Sequence, residues 1–561
     1  MEQEFSHKTR QKSLERFKSE VFDLLVIGGG ITGAAAARNA ASRGLKVALV
    51  EREDFAYGTS SRSSKLIHGG LRYLENLEFH LVFEALAERT FLLKTAPHRV
   101  RPLLFFFPVY KGDIHGRWIL SLGLWLYDLL SLFRAPGFHK GLSQKALLEK
   151  IPFLKSEGLQ GGFEYYDASM WDEGLVIETL RAASRAGCAI ANQVEALEPL
   201  WDDSKKVCCG FRVQDRGKFK NQGKIELRAK KVIVCAGPWT DQLGLRISSE
   251  WKNWLNPSKG VHLVFDLKRI PIPGALVMGH SEESGDGRIS FVIPRHDLGA
   301  GVVIVGTTDG PTPADPDLAR VEREDVDYLM SMLKRYFPSL RLTESDIIST
   351  YVGVRPLMGK TASTGNGGGL QKVSREHFIG HGVGGVVFVA GGKYTTHRKM
   401  GKEAVDFALK TGGGSEIDTP INELATSQEM ESARKIAKEK GWPIPQSLFE
   451  IYGKEALGIY QEHLLLLAKC PKFQNFKDPS GFPLLLAQFR HHLKTGMVLR
   501  LEDFYLRRLP LFLSLADSGL SCLEALAEIW AEEMEACEEQ MKGEIESLKQ
   551  EISKRRQGLS E

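Results

Sequence analysis

Cysteine is scarce in this sequence, and its spacing argues against two kinds of site. Seven cysteines occur among 561 residues, and no two of them have the C-x-x-C spacing of redox and zinc motifs. An odd number of thiols also fits poorly with a disulfide framework. We therefore expect reduced, structural cysteines and no metal site, in a chain long enough to bury its core without covalent links.

A charge surplus of one sign is missing as well. Lys and Arg exceed Asp and Glu by only four, which is unlike the strongly basic surface of a nucleic-acid binder. The first 20 residues mix both charges around no apolar centre, so we predict no secretory signal there. Hydrophobic residues at 43% and charged residues at 26% exclude disordered and fibrous classes.

The best candidate for a membrane segment, residues 118–133 (WILSLGLWLYDLLSLF), is too short to cross a bilayer. A spanning helix needs about 20 apolar residues, and Asp128 interrupts this stretch. The segment could lie in the membrane interface, with Trp118, Trp125 and Tyr127 at the depth of the lipid headgroups. A buried core helix is the alternative interpretation.

Glycine, in contrast, is abundant and unevenly distributed. The first 415 residues hold 48 glycines and the last 146 hold 8. We predict a turn-rich front, a helical tail and a domain boundary near the glycine run 412–414. In the tail, a narrow apolar stripe from Met534 to Ile552 would suit pairing with another helix. A homodimer is among the assemblies that we consider.

A β-α-β unit stands near the front of the chain. Residues 22–27 (FDLLVI) and 46–50 (KVALV) are short apolar runs, and the alanine-rich segment 31–43 between them favours a helix. Similar runs recur at 231–235 and 386–390, each followed or ended by small residues. The pattern predicts one parallel sheet that is built from distant segments.

The residues between those segments would form a second, interleaved domain. Its strands are expected at 288–293 and 302–306, where further apolar runs occur.

The turn between the first strand and the helix carries the motif G-x-G-x-x-G. Gly28 permits the tight turn, Gly30 lets the main chain approach a pyrophosphate, and Gly33 allows helix and strand to pack closely. The helix N-terminus, which includes Thr32, offers N–H groups and positive potential to phosphates. Glu51 ends the second strand, where its carboxylate can accept hydrogen bonds from ribose hydroxyls. We predict a dinucleotide site.

The next stretch favours FAD over NAD as the cofactor. Residues 59–74 (TSSRSSKLIHGGLRYL) place hydroxyls, a His-Gly-Gly and an Arg-Tyr directly behind the nucleotide site. A free NAD co-substrate would instead suggest a further strand–helix repeat, whereas a fixed flavin needs a crowded second half of the site. Beyond the fingerprint, the residues expected to hold FAD are Ser60, Ser61, Ser64, Gly69, Gly70, Ala236, Gly237, Gly392 and Lys393.

Several longer motifs resemble those of one flavoprotein family. They include SSRSSKLIHGGLRYLENLEFH, GFEYYDASMWDEGLV, NPSKGVHLV, IVGTTD, YVGVRPL, AGGKYTTHRKM and, in the tail, LRLEDFYLRR. Together they resemble the FAD-dependent glycerol-3-phosphate dehydrogenases of the aerobic, respiratory type, over residues 22–513. Val261 and Tyr394 depart from the pattern we expected, but neither change removes a polar group.

The resemblance implies a fold of the α/β class and a reaction. The fold is a Rossmann-like FAD-binding domain of the glutathione-reductase type, with an interleaved antiparallel-sheet substrate domain and a C-terminal all-helical domain. The reaction is oxidation of sn-glycerol 3-phosphate to dihydroxyacetone phosphate, with electrons passed through FAD to ubiquinone or menaquinone. It also implies a cytoplasmic protein, peripherally associated with the inner face of the cell membrane.

The implied domains follow from where the motifs fall. They are an N-terminal extension (1–20), three segments of the FAD-binding domain (21–95, 166–240 and 346–414), a substrate or cap segment with the interfacial helix (96–165), a substrate domain (241–345) and a helical domain (415–561).

A phosphate dianion as substrate calls for cationic donors. Arginine suits it because the planar guanidinium can donate two parallel hydrogen bonds. Arg72, Arg355 and Lys393 lie in the family's motifs, with Tyr73 and Thr395 as neutral donors. We predict that these five residues bind the substrate.

Oxidation at C2 also requires a base for the hydroxyl proton, and histidine is the natural choice near neutral pH. His262 and His68 are the candidates. We favour His262 for proton transfer, and the resemblance places His68 beside the flavin ring, while Arg355 could polarise the hydroxyl. Asp309 falls in a loop that the resemblance also places near the ring; a hairpin turn is the alternative interpretation.

Three other functions stay open at this stage. A glycerol-3-phosphate oxidase would use the same site with oxygen as acceptor. An amine or amino-acid oxidase of the same fold is less favoured, because a single carboxylate needs fewer cations than Arg72, Arg355 and Lys393 supply. A flavin-containing scaffold without turnover would not need so many polar groups.

Overall fold

Two β-sheets form the frame of the molecule, and helices pack around them. The computed structural model describes residues 4–70, 78–113, 116–131, 136–217, 223–279, 289–359, 377–410, 427–469 and 481–556. Arg72, Tyr73 and the glycine run at the predicted 412–414 boundary lie outside these residues.

The strands of the described residues are, in chain order, β1 (Val21–Ile27), β2 (Val47–Val50), β3 (Leu66–Ile67), β4 (Val100–Tyr110), β5 (Lys140–Leu142), β6 (Leu159–Met170), β7 (Ala189–Ala191), β8 (Val194–Trp201), β9 (Cys208–Asp215), β10 (Lys224–Val234), β11 (Ser258–Asp266), β12 (Ala275–Met278), β13 (Ser290–Arg295), β14 (Val302–Gly306), β15 (Gly310–Pro311), β16 (Ile347–Arg355), β17 (His377–His381) and β18 (Val387–Gly391).

The α-helices of the same residues are α1 (His7–Ser19), α2 (Ile31–Ser42), α3 (Phe79–Thr95), α4 (Arg117–Leu130), α5 (Gln144–Lys150), α6 (Asp172–Arg185), α7 (Thr240–Ile247), α8 (Arg323–Tyr336), α9 (His397–Leu409), α10 (Ser427–Glu439), α11 (Gln446–Tyr452), α12 (Ala456–Lys469), α13 (Gly481–Thr495), α14 (Leu501–Arg507), α15 (Leu511–Ser514), α16 (Leu523–Met534) and α17 (Glu538–Arg556).

The first sheet is parallel at its centre and is built from distant segments, as the sequence predicts. Its path runs β17-β18-β10-β1-β2-β7, and β8 and β9 extend it beside β10. Strand β1 pairs in parallel with β2 and with β10, and β10 pairs in parallel with β18. Helices α2, α6 and α9 pack together on one side. The predicted fold class is confirmed in this sheet.

The second sheet is mostly antiparallel. Its path runs β15-β11-β14-β13-β12-β4-β6-β3, with β16 beside β11 and β5 beside β6; only the β12–β4 pair in it is parallel among the described strands. Strand β16 lies inside the 346–414 segment that we assigned to the FAD-binding domain, yet it pairs along its whole length with β11 in this sheet. The apolar pattern of the sequence alone did not show to which of the two sheets this strand belongs.

The predicted N-terminal extension is part of the packed structure. Leu14 and Phe17 on α1 are fully buried against the first sheet. The buried Arg10 guanidinium donates to Asp215 at 2.5 Å and to the Asn192 carbonyl at 2.9 Å. These contacts tie residues near the start of the chain to β9 and to the end of β7.

Helix α4 is apolar both on the face that the protein buries and on the face that is exposed. Each of the two interpretations of the sequence, a core helix and an interfacial helix, therefore describes one face. Leu120 and Leu124 are buried. Trp118 is 90% exposed and Trp125 61% exposed. Tyr127, which we expected at headgroup depth, is instead buried, and its hydroxyl donates to Asp167 at 2.8 Å. The helical period places it on the inner face, opposite Trp125.

The apolar stripe of the tail is covered by the chain itself. Met534, Leu548 and Ile552 are buried in the core that the C-terminal helices share with the second sheet. The stripe is therefore not available for pairing with a second helix, contrary to the expectation from its spacing.

No helix in the described part of the chain is both long and apolar enough to traverse a bilayer.

Candidate active site

A cavity of about 310 Å³ opens where the parallel strands of the first sheet end. Its walls include Ile27, Val50, Cys235 and Gly391, which lie at or just beyond the carboxyl ends of β1, β2, β10 and β18. Crevices outside the carboxyl ends of parallel strands are the usual ligand sites of open α/β sheets. The topology therefore brings four distant segments to one site.

The glycines of the fingerprint allow a very close approach between α2 and the end of β1. Gly28 has φ +112°, and a Cβ on it would lie 2.3 Å from the Cys235 carbonyl oxygen. A Cβ on Gly33 would lie 1.9 Å from the Gly28 carbonyl oxygen. Gly30 is the N-cap of α2, and Gly30 and Thr32 line the cavity. The helix N-terminus thus points its positive end at the cavity.

Glu51 also lines the cavity, directly beside the fingerprint turn. Its carboxylate accepts hydrogen bonds from the Gly29 N–H at 2.6 Å and from the Glu53 N–H at 2.9 Å. Burial raises the pKa of Glu51, and the two N–H groups act in the opposite direction. The carboxylate is therefore fixed at the end of β2 and faces the cavity.

Some serines of the hydroxyl-rich loop 59–64 line the cavity, and one contacts His262 instead. Ser60 lines the cavity and accepts a hydrogen bond from the Ile31 N–H at 3.0 Å. Ser63 lines it as well, a role that the sequence analysis missed. Ser61 and Ser64 are not among the described residues that line the cavity. The Ser64 hydroxyl instead contacts His262.

The cavity is also bounded by residues that follow β10, β16 and β18, namely Ala236, Gly237, Pro356, Gly392, Lys393 and Tyr394. Gly237 and Gly392 both have positive φ, +53° and +85°, so the chain there adopts a conformation that glycine tolerates best. Gly392 and Lys393 also line a second, smaller cleft of about 200 Å³.

His68, Gly69 and Gly70 follow β3 outside the lining of the main cavity. The His68 carbonyl accepts a hydrogen bond from the buried Thr395 hydroxyl at 3.4 Å. The Gly69 N–H donates to the Tyr127 hydroxyl at 2.9 Å, and Gly70 has φ +73°. Tyr127, which the sequence analysis placed at headgroup depth, is thus instead a positioning residue for this loop.

His262 is the more deeply placed of the two candidate bases. It lies on β11, is 2% exposed, and its Nε2 is 2.9 Å from the Ser64 hydroxyl. Burial, assisted by the nearby Arg355, lowers its pKa to about 3. Gly306 on β14 leaves room for the ring, because a Cβ there would lie 2.3 Å from His262 Cδ2. The imidazole is therefore neutral at physiological pH and able to accept a proton.

Arg355 ends β16 and holds the loop that follows β14. Its Nη2 donates to the Thr307 hydroxyl at 2.8 Å and to the Thr308 carbonyl at 3.1 Å. Its Nη1 contacts Ser258 at 3.0 Å and Asp309 at 3.3 Å. Asp309 pairs with Arg355 and Ser258 and is absent from the described lining of the main cavity. Arg355 sits next to Pro356, which does line that cavity.

The residues that line the cavity supply the donor set that an FAD molecule needs. A helix N-terminus and glycine main chain suit the pyrophosphate, and a fixed carboxylate suits the ribose. The Gly33 approach to Gly28, which any larger residue would prevent, is the geometry that a dinucleotide fold requires.

Comparison with known proteins agrees with this geometry. The family model described as FAD dependent oxidoreductase matches residues 23–398. A protein of Staphylococcus haemolyticus named aerobic glycerol-3-phosphate dehydrogenase is 38% identical over 519 residues, which is 89% of this chain and 88% of the relative. Its namesake from Staphylococcus saprophyticus is 33% identical over 540 residues, 93% of this chain and 92% of the relative.

A solved structure is similar over nearly the whole chain. It is the glycerol-3-phosphate dehydrogenase from Bacillus halodurans complexed with FAD, with 28% identity, a TM-score of 0.79 and coverage of 99% of both chains. The predicted cofactor, FAD, is thereby confirmed. On these grounds the chain belongs to the family of FAD-dependent, aerobic glycerol-3-phosphate dehydrogenases.

Proposed function

We propose that this protein oxidises sn-glycerol 3-phosphate to dihydroxyacetone phosphate and passes the electrons to a membrane quinone. The observation that carries the proposal is that the buried His262 lies on β11 and Arg355 on the paired strand β16, and that Pro356, which follows β16, lines the FAD cavity. FAD, when bound, supplies the acceptor for the hydride that leaves C2 of the substrate. The residues of the chain supply the binding, the orientation and the proton transfer.

Binding of the phosphate is assigned to cationic and hydroxyl donors. Arg355 keeps 26% of its side chain exposed despite its hydrogen bonds, and Lys393 lines both the main cavity and the smaller cleft. Thr395 lies buried two residues further on. We assign Arg72 and Tyr73, which lie outside the described residues, to the same task. Several guanidinium and ammonium groups together suit a substrate with a phosphate dianion better than they suit a substrate with a single carboxylate.

Proton transfer is assigned to His262. As the C2–H bond breaks and the carbonyl forms, the hydroxyl proton moves to an imidazole nitrogen, and Arg355 stabilises the charge that develops on the oxygen. Burial lowers the pKa of His262, so the ring is unprotonated at neutral pH and keeps a nitrogen lone pair for that proton. His68, near Thr395, is assigned to positioning.

Anaerobic addition of sn-glycerol 3-phosphate to the purified yellow protein tests the reaction. We expect loss of the oxidised flavin absorbance, and no loss with glycerol, which lacks the phosphate, or with glycine and sarcosine. Reduction by sarcosine alone would establish the amine-oxidase alternative. An unchanged spectrum with every substrate would refute the proposed oxidation.

The electron acceptor is tested on the reduced protein. We expect rapid reoxidation by a soluble quinone and slow reoxidation by dissolved oxygen. The reverse order of rates would favour a glycerol-3-phosphate oxidase instead.

Access to a membrane quinone is supported by the outer face of α4. Its five large exposed residues are Trp118, Ile119, Leu122, Trp125 and Leu129. A 14-residue helix is about 21 Å long, so it can lie along a bilayer surface, where tryptophan rings are favoured. We propose that this face docks on the inner surface of the cell membrane.

Liposome flotation tests the docking. We expect the wild type to float with the lipid and the Trp118→Ser/Trp125→Ser variant to remain at the bottom. A matched control is Val207→Ser/Ile436→Ser, which removes exposed apolar side chains from β8–β9 and α10 and should float like the wild type. Equal flotation of all three proteins contradicts the proposal; a change in oligomeric state alone would assign the face to a second copy of the chain.

A further inference from the structure

The cofactor loop 59–64 is attached to the strand that faces the candidate base. Thr59 donates to the Val354 carbonyl at 2.6 Å, and a Cβ on Gly353 would lie 2.2 Å from the Arg62 carbonyl oxygen. The loop therefore lies directly against β16. Because β16 pairs with β11, anything that moves the loop also acts on the strand pair that carries His262.

Tyr351 on β16 links the loop to the base. It is the register partner of His262 across the β11–β16 pair, and the two rings stack with centroids 4.6 Å apart and planes 9° apart. The Tyr351 hydroxyl donates to the Ser63 carbonyl at 2.9 Å. A single side chain thus contacts the imidazole with its ring and the cofactor loop with its hydroxyl.

Ser64 gives the loop a second, direct contact with the base. Its hydroxyl is 2.9 Å from His262 Nε2, and the ring's other nitrogen, Nδ1, is buried with no hydrogen-bond partner among the described residues. The contact therefore fixes the rotation of the ring in its plane, while stacking on Tyr351 fixes the plane itself.

A buried ionic cluster of Lys65, Asp172 and Glu173 anchors the loop on the side of α6. The Ser63 hydroxyl donates to Asp172 at 2.7 Å. The Lys65 ammonium contacts Asp172 and lies 2.7 Å from Glu173. All three charged residues are almost completely buried. The loop is thus anchored between α6 on one side and β16 on the other.

We infer that Tyr351 and Ser64 are positioning residues that orient the imidazole of His262 for proton transfer. Ser64 belongs to the cofactor loop, and Tyr351 is hydrogen-bonded to it. The inference rests on the proposed function and deepens it. The same short loop that lines the FAD cavity then sets the direction in which the base faces the substrate. A misplacement of about 1 Å at such a base can cost roughly 100-fold in rate.

The charges around the pair modify a pKa of His262 that burial already lowers. Arg355 on β16 and Lys65 before β3 disfavour the protonated ring, and Asp172 on α6 acts the other way; Glu173 and Arg295 face Tyr351. Loss of water contact is the largest cause of the low pKa of His262. Removing the Tyr351 ring would admit water, so the pKa would rise toward its ordinary value of 6.5.

The test combines flavin reduction with a titration of His262. The variants are Tyr351→Leu, which removes the stacked ring, Tyr351→Phe, which keeps it, and Ser64→Ala. For the FAD-loaded proteins we measure the rate constant of anaerobic flavin reduction between pH 5 and pH 9. For the same proteins without substrate, nitrogen NMR of labelled histidine follows the protonation of His262, whose signal is identified from its loss in His262→Gln.

We expect Tyr351→Leu to reduce flavin roughly 10- to 100-fold more slowly and to move the acid limb of the profile to higher pH. Its His262 signal should titrate in the measured range, unlike that of the wild type. Tyr351→Phe should recover the rate to within about fivefold, because only one hydrogen bond is lost. Ser64→Ala should slow reduction and alter the tautomer signal of His262.

The matched control is Tyr336→Leu. Tyr336 is 2% exposed and bonds the main chain of Gly279, but it lies in the core on α8, and its loss should leave the His262 titration unchanged. Wild-type rates and titration in Tyr351→Leu and Ser64→Ala, with normal flavin content, would overturn the inference, as would slower reduction with no change at His262. If glycerol 3-phosphate fails to reduce even the wild type while the titration shifts, the proposed function fails and the positioning role stands.

Discussion

The Thr59 hydroxyl donates a 2.6 Å hydrogen bond to the carbonyl oxygen of Val354, almost 300 residues away in the chain. Thr59 lines the FAD cavity, and Val354 lies in β16 of the second sheet. The bond therefore joins the cofactor loop to the second sheet, beside the cavity.

Thr59→Val should weaken FAD retention. Valine keeps the shape but leaves the Val354 carbonyl without this donor, at a cost of about 1 kcal/mol, and we expect FAD to be released several-fold faster. Flavin fluorescence during dilution measures the release. In the control Thr90→Val, which removes a hydroxyl bonded to the Leu86 carbonyl within α3, the release rate should match the wild type; equal rates in both variants would count against the coupling.

Gly33→Ala should abolish FAD binding. Its Cβ would meet the main-chain oxygen of Gly28 at 1.9 Å, and the main chain there cannot move without separating α2 from β1. We expect a colourless protein on purification, measured by the flavin absorbance per chain. Gly543→Ala is the control, because nothing lies within 4 Å of that position; it should retain FAD fully. A yellow Gly33→Ala protein would show that the turn tolerates a wider spacing.

Glu178→Gln should destabilise the fold at neutral pH and should not do so in acid. Hydrogen bonds and charge from Arg99 and His98 overcome burial and lower the pKa of Glu178 from 4.5 to about 2. A folded-state pKa below the unfolded value stabilises the protein above about pH 4.5, and this contribution is lost as the pH falls toward 2. The shift corresponds to about 3 kcal/mol at pH 7.

Thermal denaturation of the wild type and Glu178→Gln between pH 7 and pH 3 measures this effect. The two midpoints should differ most at pH 7 and converge as the solution becomes acidic. Glu226→Gln serves as the control, since that exposed carboxylate of β10 pairs at the surface with Arg212 of β9 and Arg228 of β10. A constant difference for Glu178→Gln across the range would mean that its role is steric.

Arg355→Ala should raise KM and lower kcat for glycerol 3-phosphate. The change removes a cation that we assign to substrate binding and also releases Thr307 and Thr308, so we expect kcat/KM to fall about 100-fold, or roughly 3 kcal/mol. Arg355→Lys should recover only part of the loss, because a single ammonium cannot donate as a fork. Steady-state kinetics with the exposed Arg228→Ala variant as control checks this; unchanged constants in Arg355→Ala would place the phosphate elsewhere.

The sequence predicted the nucleotide half of the molecule well because its signals are local. A glycine turn, an alanine-rich helix and two apolar strands lie within 30 residues of one another. The distant strands of the same sheet could also be placed, since each ends in small residues beside the cavity.

The rest of the site depends on information that is not local. In the segment TSSRSS every residue but one carries a hydroxyl, so composition cannot tell that Ser63 faces the cavity and Ser64 faces His262. Tyr351 acquires its role only through the register of β16 with β11. For α4, the helical period showed apolar residues all round but not which face the protein covers.

The order of strands in the first sheet has a consequence for biosynthesis. Strand β1 leaves the ribosome early, but its neighbour β10 begins only at Lys224, and β18 completes the parallel core at Gly391. At about 5–20 residues per second, the stretch from β1 to β10 takes roughly 10–40 s to synthesise. Throughout that interval the nascent chain carries an apolar strand with one unpaired edge. Mutations that slow translation before Lys224 should therefore reduce the yield of native protein without changing its final structure.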